Sequence, residues 1–391
     1  MIHLFINALA ASAGGGLTYI RNVIPAIAAR TDARATVLVN PELRRELGTW
    51  ANVEFLEPPS RTGAAGRFWF EQQRVPDLIR RSGANVLLST GNFALWNSPV
   101  PQILLSRNAL YTSSDFMNDL RRRGDYRLWL DTQLKRAFAK SSIRRADVAV
   151  APSVAFAEEL RRWTGMNVLA IHHGFDAAAL AGKEGRLPPE IQDKLADASS
   201  GLRLLFVSHY NYYRNFETLI QALPLLRDQL APRKVRLFLT CQLRSEANPG
   251  SYRADSAAVL VQELGVSDHV IELGSVGYGL LQQLYRACDI YVSPAYAESF
   301  AHPLLEAMSA GLPVVASDLK VHREICGDAA LYFDRFSPDG AASVIARVAT
   351  SPEIRQGMSV AGIRRSYDFS WRDHVNQIVS LSLELLSRRR T

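Results

Sequence analysis

Apolar positions fall into short, nearly unbroken runs, separated by stretches in which they recur every three or four residues. In the first half the runs are IHLFIN (2–7), ATVLVN (35–40), ANVLLST (84–90), QILLS (102–106) and DVAVAPS (147–153). Such runs predict strands buried on both faces, and the amphipathic segments between them predict covering helices: a parallel sheet sandwiched by helices. Residues 176–201, DAAALAGKEGRLPPEIQDKLADASSG, are polar, contain Pro-Pro and read as a linker or surface excursion. The rhythm then restarts with LRLLFVS (202–208), VRLFLT (235–240), HVIELG (269–274), DIYVSPA (289–295), PVVAS (313–317) and AALYF (329–333). The expected architecture is α/β, with two doubly wound Rossmann-like domains at 1–175 and 202–370. Two such domains leave a cleft between the carboxyl ends of their sheets, where open α/β folds bind ligands. The last segment, 371–391, predicts an amphipathic helix. Val375, Ile378, Val379 and Leu386 form its candidate buried face, and Arg388 to Arg390 complement its negative end.

Length and composition narrow this picture. A chain of 391 residues suits two domains, and 48% apolar with 21% charged residues suits a globular protein. No apolar run approaches the ~18 residues of a membrane-spanning helix. The start, MIHLFINALA, has no basic region before its apolar stretch and reads as a buried strand rather than a signal peptide. Cys241, Cys288 and Cys326 form neither a metal spacing nor a disulfide framework, so a reducing cytoplasm is the expected setting.

The net charge of +7 is unevenly placed: 22 basic against 15 acidic residues through position 180, and 23 of each thereafter. The first half is therefore expected to face something anionic: a phosphorylated substrate, a membrane surface or nucleic acid. Much of the surplus lies in DLRRRGDYRLWLDTQLKRAFAKSSIRRAD (119–147). Two readings stand side by side. One is a surface for an anionic bilayer or a phosphorylated acceptor. The other is an ordinary helix burying Leu128, Leu130, Leu134 and Phe138 beneath a solvated arginine face. His172 and His173 lack metal-site spacing and read as packing between domains.

The stretch YAESFAHPLLEAMSAGLPVVAS (296–317) holds two carboxylates, Glu298 and Glu306, separated by seven residues in a segment otherwise suited to burial. DIYVSPA predicts a strand, AESFAH the loop at its carboxyl end, Pro303 the first turn of a helix and Gly311 its end. Glu298 then lies in the loop and Glu306 near the first turn, with free backbone N–H groups between them at the positive end of a helix. The amides can hold phosphates while each carboxylate accepts hydrogen bonds from sugar hydroxyls. A ligand with phosphates flanked by two polyols is a nucleotide sugar. Taken singly, each acid is explained as well by helix charge compensation or a solvated loop.

This segment resembles the signature of the retaining glycosyltransferases of family 4, which have the GT-B fold. That signature is E-x-F-G-x-P-x-x-E followed by A-M-A-x-G-x-P-V-V. Here Glu298, Phe300, Ala301, Pro303 and Glu306 are followed by AMSAGLPVVAS, with Ala301 in place of the usual glycine. ELGSVGYGLLQQLYRACDIYVSP upstream and SDLKVHREICGDAALYF downstream also resemble the family. The resemblance implies that Glu306 binds the ribose hydroxyls and Glu298 the transferred sugar. The amides of Ser299, Phe300 and Ala301 would hold the diphosphate or sugar, and the turn Gly274 to Val276 would meet the nucleobase. It also implies that the C-terminal helix crosses back to pack on the first domain.

A departing diphosphate needs a cation. There is no D-x-D metal motif, and the family uses an Arg and a Lys after the first strand of the second domain. In FVSHYNYYRNFETLIQAL, His209 stands where that Arg is usual and Arg214 where the Lys is usual. Arg214 keeps the charge with bidentate phosphate geometry. In NALAASAGGGLTYI, Gly14, Gly15 and Gly16 would let backbone approach a phosphate or sugar, and the family has a comparable loop facing the donor. In QILLSRNALYTSSDF, Arg107 and Asn108 replace a His-Asp pair of many relatives. Neither is a general base at neutral pH, which suits a retaining mechanism in which the leaving phosphate takes the acceptor proton.

The resulting expectation is a retaining glycosyltransferase that needs no metal or other cofactor. Its donor would be a nucleotide diphosphate sugar and its acceptor a glycan or lipid-linked glycan of the bacterial cell surface. It would bind no nucleic acid and would contact an anionic membrane at most peripherally. A nicotinamide-dependent oxidoreductase is disfavoured: SAGGGLTYI is not G-x-G-x-x-G, and ATVLVN ends in Asn40 rather than an acid. The alternative is a catalytically impaired GT-B protein that binds glycans or regulates.

Overall fold

The structure is a computed structural model that describes residues 1–11, 14–58, 63–177, 180, 185–250 and 252–388. Two compact units partition the chain: Met1–Thr112 with Leu130–Gly174 and Phe369–Thr391, and Ser113–Trp129 with Phe175–Asp368.

The first unit is built on seven parallel strands: β1 (Ile2–Asn7), β2 (Ala33–Leu38), β3 (Val53–Leu56), β4 (Val86–Ser89), β5 (Gln102–Leu105), β6 (Val148–Ala151) and β7 (Val168–Ala170). Their order is β3-β2-β1-β4-β5-β6-β7. All six residues of β1 are buried, as a continuous apolar run at the centre of a covered sheet requires. The apolar runs did not reveal β3 and β7, which are the two edges. In β3 only Val53 is buried and Glu54 is exposed, so one-sided cover leaves no unbroken apolar run.

The helix Trp371–Arg388 packs in this unit. Val375, Ile378, Val379, Leu381 and Leu385 join the core formed by the helix Gly15–Ala28 and the sheet, and Leu386 is partly buried against it. Arg389 and Arg390 of the expected basic end lie outside the described residues. A buried polar knot locks the helix in place. The Tyr19 hydroxyl lies 3.0 Å from Nε2 of His374, and the other His374 nitrogen donates to the His172 carbonyl at 2.8 Å. Burial pushes the His374 pKa down to about 4, so the ring stays neutral. His173 stacks among Tyr19, Trp371 and His374, a place inside the first unit rather than between domains. A Cβ on Gly174 would come within 2.1 Å of the Trp371 nitrogen, so only glycine lets the two chain segments pass.

The second unit has six parallel strands: β8 (Leu202–Phe206), β9 (Val235–Leu239), β10 (Val270–Glu272), β11 (Ile290–Ser293), β12 (Val314–Ser317) and β13 (Ala330–Phe333). Their order is β10-β9-β8-β11-β12-β13. The winding reverses between β8 and β11, the topological switch point of a doubly wound sheet.

Two segments depart from the expected boundaries. Ser113–Trp129 groups with the second unit. Polar side chains hold it there: Asp115 pairs with Arg335 at 2.7 Å, Asp119 accepts from the Tyr296 hydroxyl at 2.8 Å, and Arg123 pairs with Glu217 at 2.9 Å. Part of the stretch expected as a linker is the helix Pro189–Asp197 of the second unit, which buries Ile191 and Leu195. Proline at its start is compatible with a first helical turn, so Pro-Pro marks a beginning rather than a break. Residues 178–179 and 181–184 of that stretch lie outside the described residues.

The helix Tyr126–Arg145 does not bury the apolar side chains assigned to its inner face. Leu130 and Leu134 are each 56% exposed and Phe138 46%. Its buried residues are Thr132, Ala139, Ser142 and Ile143, so the helix packs on a different face from the one its leucines mark. Phe138 instead joins an exposed aromatic cluster, its ring 5.6 Å from Phe68, which also meets Trp69 and Trp96.

Candidate nucleotide-sugar site

The carboxyl ends of β8 and β11 carry the two loops that meet at the switch point. After β8 the chain runs through His209 and a single turn, Tyr212–Arg214. Asn215 then takes the left-handed conformation (φ 57°) before the helix Phe216–Leu230. Its side-chain amide donates to the carbonyls of Pro294, at 3.0 Å, and Arg335. Tyr296 N–H donates to the Tyr213 carbonyl at 3.0 Å. These bonds clasp the β8 loop to the β11 loop.

The clasp brings Arg214 and Glu298 into a largely buried ion pair of 2.5 Å. Burial alone would raise the Glu298 carboxyl; Arg214, His322 and the Ser299 amide together outweigh it, and the carboxyl stays below its ordinary range. Burial likewise works to lower the Arg214 pKa, and Glu298, with Tyr213 and Tyr291, more than offsets it. Each charge is therefore the other's condition for being buried. The Ser299 amide donates to Glu298 at 3.1 Å, so in this state it serves the carboxylate.

Ala301 caps the helix His302–Ser309 with φ 69° and ψ 59°. The left-handed region costs an L-residue roughly 1–2 kcal/mol, which explains why glycine suits this position. Phe300 is buried, its ring 4.8 Å from His302.

Glu306 sits in the second turn of this helix, 5% exposed, and accepts a 2.8 Å hydrogen bond from the Tyr285 hydroxyl. Burial pushes its carboxyl up to about 7, with the Tyr285 bond opposing part of that. Val276 is half-buried in the loop after β10, three strand spacings from β11, or about 14 Å. His209 is exposed; burial of its ring and then Arg214 lower its pKa, which leaves it neutral at neutral pH.

Two residues near these acids escaped the sequence reading. Tyr285 is one, and its signal was only an aromatic in a helix. His322 is the other, in the helix Lys320–Cys326 that follows β12. It is fully buried, Nδ1 lies 2.9 Å from the Ser317 carbonyl, and Nε2 has no hydrogen-bond partner. Donation from Nδ1 leaves Nε2 as an acceptor. Burial lowers the His322 pKa, and the nearby charges of Glu298 and Arg214 act on it in opposite directions.

The first unit assembles a second group. Arg107 Nη1 donates to the Gly15 carbonyl at 2.9 Å, and its backbone N–H donates to Asn92 at 2.8 Å. A Cβ on Gly16 would lie 2.9 Å from Arg107 Nη2, so the glycine makes room for the guanidinium. Burial pushes the Arg107 pKa down to about 10, opposed by Tyr19. Asn108 caps the turn Ala109–Tyr111, its side-chain oxygen accepting from Leu110 N–H at 3.1 Å. Among the described residues no group of three or more His, Cys, Asp or Glu could hold a metal, and no helix is long and apolar enough to cross a membrane.

Comparison with known proteins bears on both units. Residues 189–365 match the family described as Glycosyl transferases group 1. The O-antigen chain mannosyltransferase B of Escherichia coli is 30% identical over 179 residues, covering 45% of this chain and 44% of that one. This chain thus spans about half the length of the curated relatives it matches. Sucrose-phosphate synthase from Thermosynechococcus elongatus superposes with a TM-score of 0.74 at 17% identity, covering 99% of this chain and 100% of that one. HepE from Anabaena, in complex with UDP-glucose, gives 0.73 at 17% identity, covering 97% and 99%. Residues 189–365 therefore carry the glycosyl transferases group 1 sequence, and the chain has the GT-B fold class of two Rossmann-like, parallel-sheet domains.

Proposed function

We propose that this chain is a retaining, metal-independent glycosyltransferase that moves a hexose from a nucleotide diphosphate sugar to a hydroxyl of a glycan or lipid-linked glycan. The observation that carries this reading is the buried Arg214–Glu298 pair at the switch point, with Glu306 in the adjoining helix. Arg214 is the cation for the departing diphosphate, and Glu298 receives hydroxyls of the transferred sugar. Glu306 receives the ribose, and the loop at Val276 lies far enough along the edge for the base. A nucleotide sugar covers that span; a monosaccharide does not. Arg107, with Gly15 and Gly16, is assigned to donor or acceptor hydroxyls, and His209 to the phosphates when protonated.

In the transfer the anomeric carbon–phosphate oxygen bond breaks and a bond to the acceptor oxygen forms. The acceptor proton passes to the leaving phosphate, and Arg214 stabilises the charge that grows there. Support comes from the family match and from relatives named as a mannosyltransferase and as a protein bound to UDP-glucose. We place the reaction in the cytoplasm, in cell-surface glycan synthesis. Peripheral contact with anionic lipid would run through the exposed stripe of Leu130, Leu134 and Phe138 beside Trp69 and Trp96, in the half that carries all the excess positive charge.

The test is a thermal-shift panel of UDP, GDP, ADP, CMP and dTDP, followed by turnover of the matching hexose donors with excess EDTA and NMR of the product anomer. Binding that saturates, turnover that survives EDTA and a retained anomer are expected. Turnover lost to EDTA and restored by Mg²⁺ would remove the metal-independent mechanism. Tight nucleotide binding with no hydrolysis or transfer would favour the impaired, glycan-binding alternative.

A further inference from the structure

The second unit has a cleft at the opposite end of its sheet from the site just described. The residues that lead into β8, β11 and β12 border about 470 Å³ there, within the roughly 300–1,000 Å³ of small-molecule sites. Its charged lining is Arg233, Arg286, Arg355 and Asp289.

The one acid is already engaged: Asp289 pairs with Arg203 at 3.2 Å, outside the cleft lining. The arginines meet carbonyls instead. Arg233 donates to Ala349 at 3.3 Å and Gly201 at 3.2 Å; Arg355 donates to Val348 at 3.0 Å and Ala349 at 2.6 Å. A carbonyl oxygen satisfies an N–H group without carrying a full opposite charge; Val348 and Ala349 lie in the last turn of the helix Pro338–Thr350, whose negative end offsets part of the charge, and Glu353 also acts on Arg355. Among the described residues no carboxylate pairs with Arg233, Arg286 or Arg355. Three arginines, none paired with a carboxylate among the described residues, therefore border a concave surface that has room for a small solute, and carbonyl bonds hold two of them in fixed orientation.

We propose that this cleft binds a small phosphate-bearing molecule. Planar guanidinium groups match phosphate oxygens in bidentate fashion, and those of Arg233 and Arg355 are already oriented before any ligand arrives. Tyr285 forms part of the wall, and its hydroxyl holds Glu306, so a ligand in the cleft lies one side chain from the donor-site carboxylate.

The probes are pyrophosphate and glucose 6-phosphate, titrated calorimetrically into the full chain, which separates a free phosphate source from a sugar phosphate. Arg286→Glu is the main variant, because Arg286 is exposed and its replacement leaves the carbonyl bonds of the other two arginines intact. Arg233→Gln with Arg355→Gln is the second, and Arg214→Lys marks the donor site. At least one probe should bind saturably, weaken at least tenfold in Arg286→Glu and in the double variant, and keep its affinity in Arg214→Lys. The proposal is overturned if neither probe saturates, or if affinity is unchanged in Arg286→Glu, whatever the donor-site variant does.

Discussion

The two sheets share one winding, with the order 3-2-1-4 about their switch points, yet their carboxyl edges solve different electrostatic problems. At the second edge, opposite charges bury each other: Arg214 and Glu298 meet at 2.5 Å with side chains only 20% and 12% exposed. At the first edge, Arg107 is held by a neutral carbonyl beside a glycine that leaves it space. The difference teaches where cost resides. A charge that depends on a buried opposite charge cannot be removed without stranding its partner, whereas a backbone carbonyl that loses a donor is left uncharged.

The largest effect should come from breaking the ion pair. Arg214→Ala or Glu298→Ala is expected to cost about 3–5 kcal/mol of stability, because the remaining partner stays buried and charged. Replacing both by leucine should cost less than either alone. Arg107→Ala should cost about 1 kcal/mol. Urea unfolding of the four variants measures all of this; equal losses for Arg107→Ala and Arg214→Ala would erase the contrast between the edges. Since folding and transfer suffer together in Arg214→Ala, Arg214→Lys is the variant that reports on leaving-group stabilisation.

Next in size is Glu306→Gln, which should weaken nucleotide binding by about 1.5–3 kcal/mol, the worth of hydrogen bonds to a charged acceptor. The raised carboxyl adds a sign. In the empty protein Glu306 keeps its proton up to about pH 7, while the unfolded chain releases it near its ordinary value of 4.5. This group's contribution to stability therefore falls as pH rises between those values. A ligand whose hydroxyls donate to the carboxylate favours the charged form, so nucleotide affinity should rise with pH through about 7. Calorimetry across that range should show the rise in the wild type and its loss in Glu306→Gln.

Gly16→Ala sharpens the comparison from the other side. The added methyl meets Arg107 at 2.9 Å, so the guanidinium must move. Overpacking of this kind costs about 1–3 kcal/mol, and transfer should fall while nucleotide affinity of the second unit stays within twofold. Comparable losses in nucleotide affinity would place this loop against the nucleotide itself.

The smallest effect is stabilising. Ala301→Gly relieves the left-handed backbone at φ 69° and should raise stability by about 1 kcal/mol, read as an increase in the urea midpoint. No gain would mean that the loop already accommodates the methyl group.

The sequence by itself determined the elements and the chemistry that is local to them. Unbroken apolar runs marked every central strand because a strand covered on both faces must be apolar throughout. The spacing of Glu298 and Glu306 placed one acid in a loop and the other in the helix that follows, because proline and glycine punctuate that segment. Only the tertiary structure decided matters that depend on residues far apart in the chain. The edge strand β3 escaped because its exposed Glu54 interrupts the apolar run, and β7 is apolar throughout but only three residues long. The 113–129 segment joined the second unit because Asp115, Asp119 and Arg123 found partners about a hundred to two hundred residues away, and polar contacts leave no periodicity to read. Leu130, Leu134 and Phe138 repeat every four residues as a buried face would, yet face solvent, because spacing defines a stripe and not what covers it. The same limit hid His322 and Tyr285. Their meaning lies in what a neighbouring strand brings beside them, and the fold alone sets that neighbour.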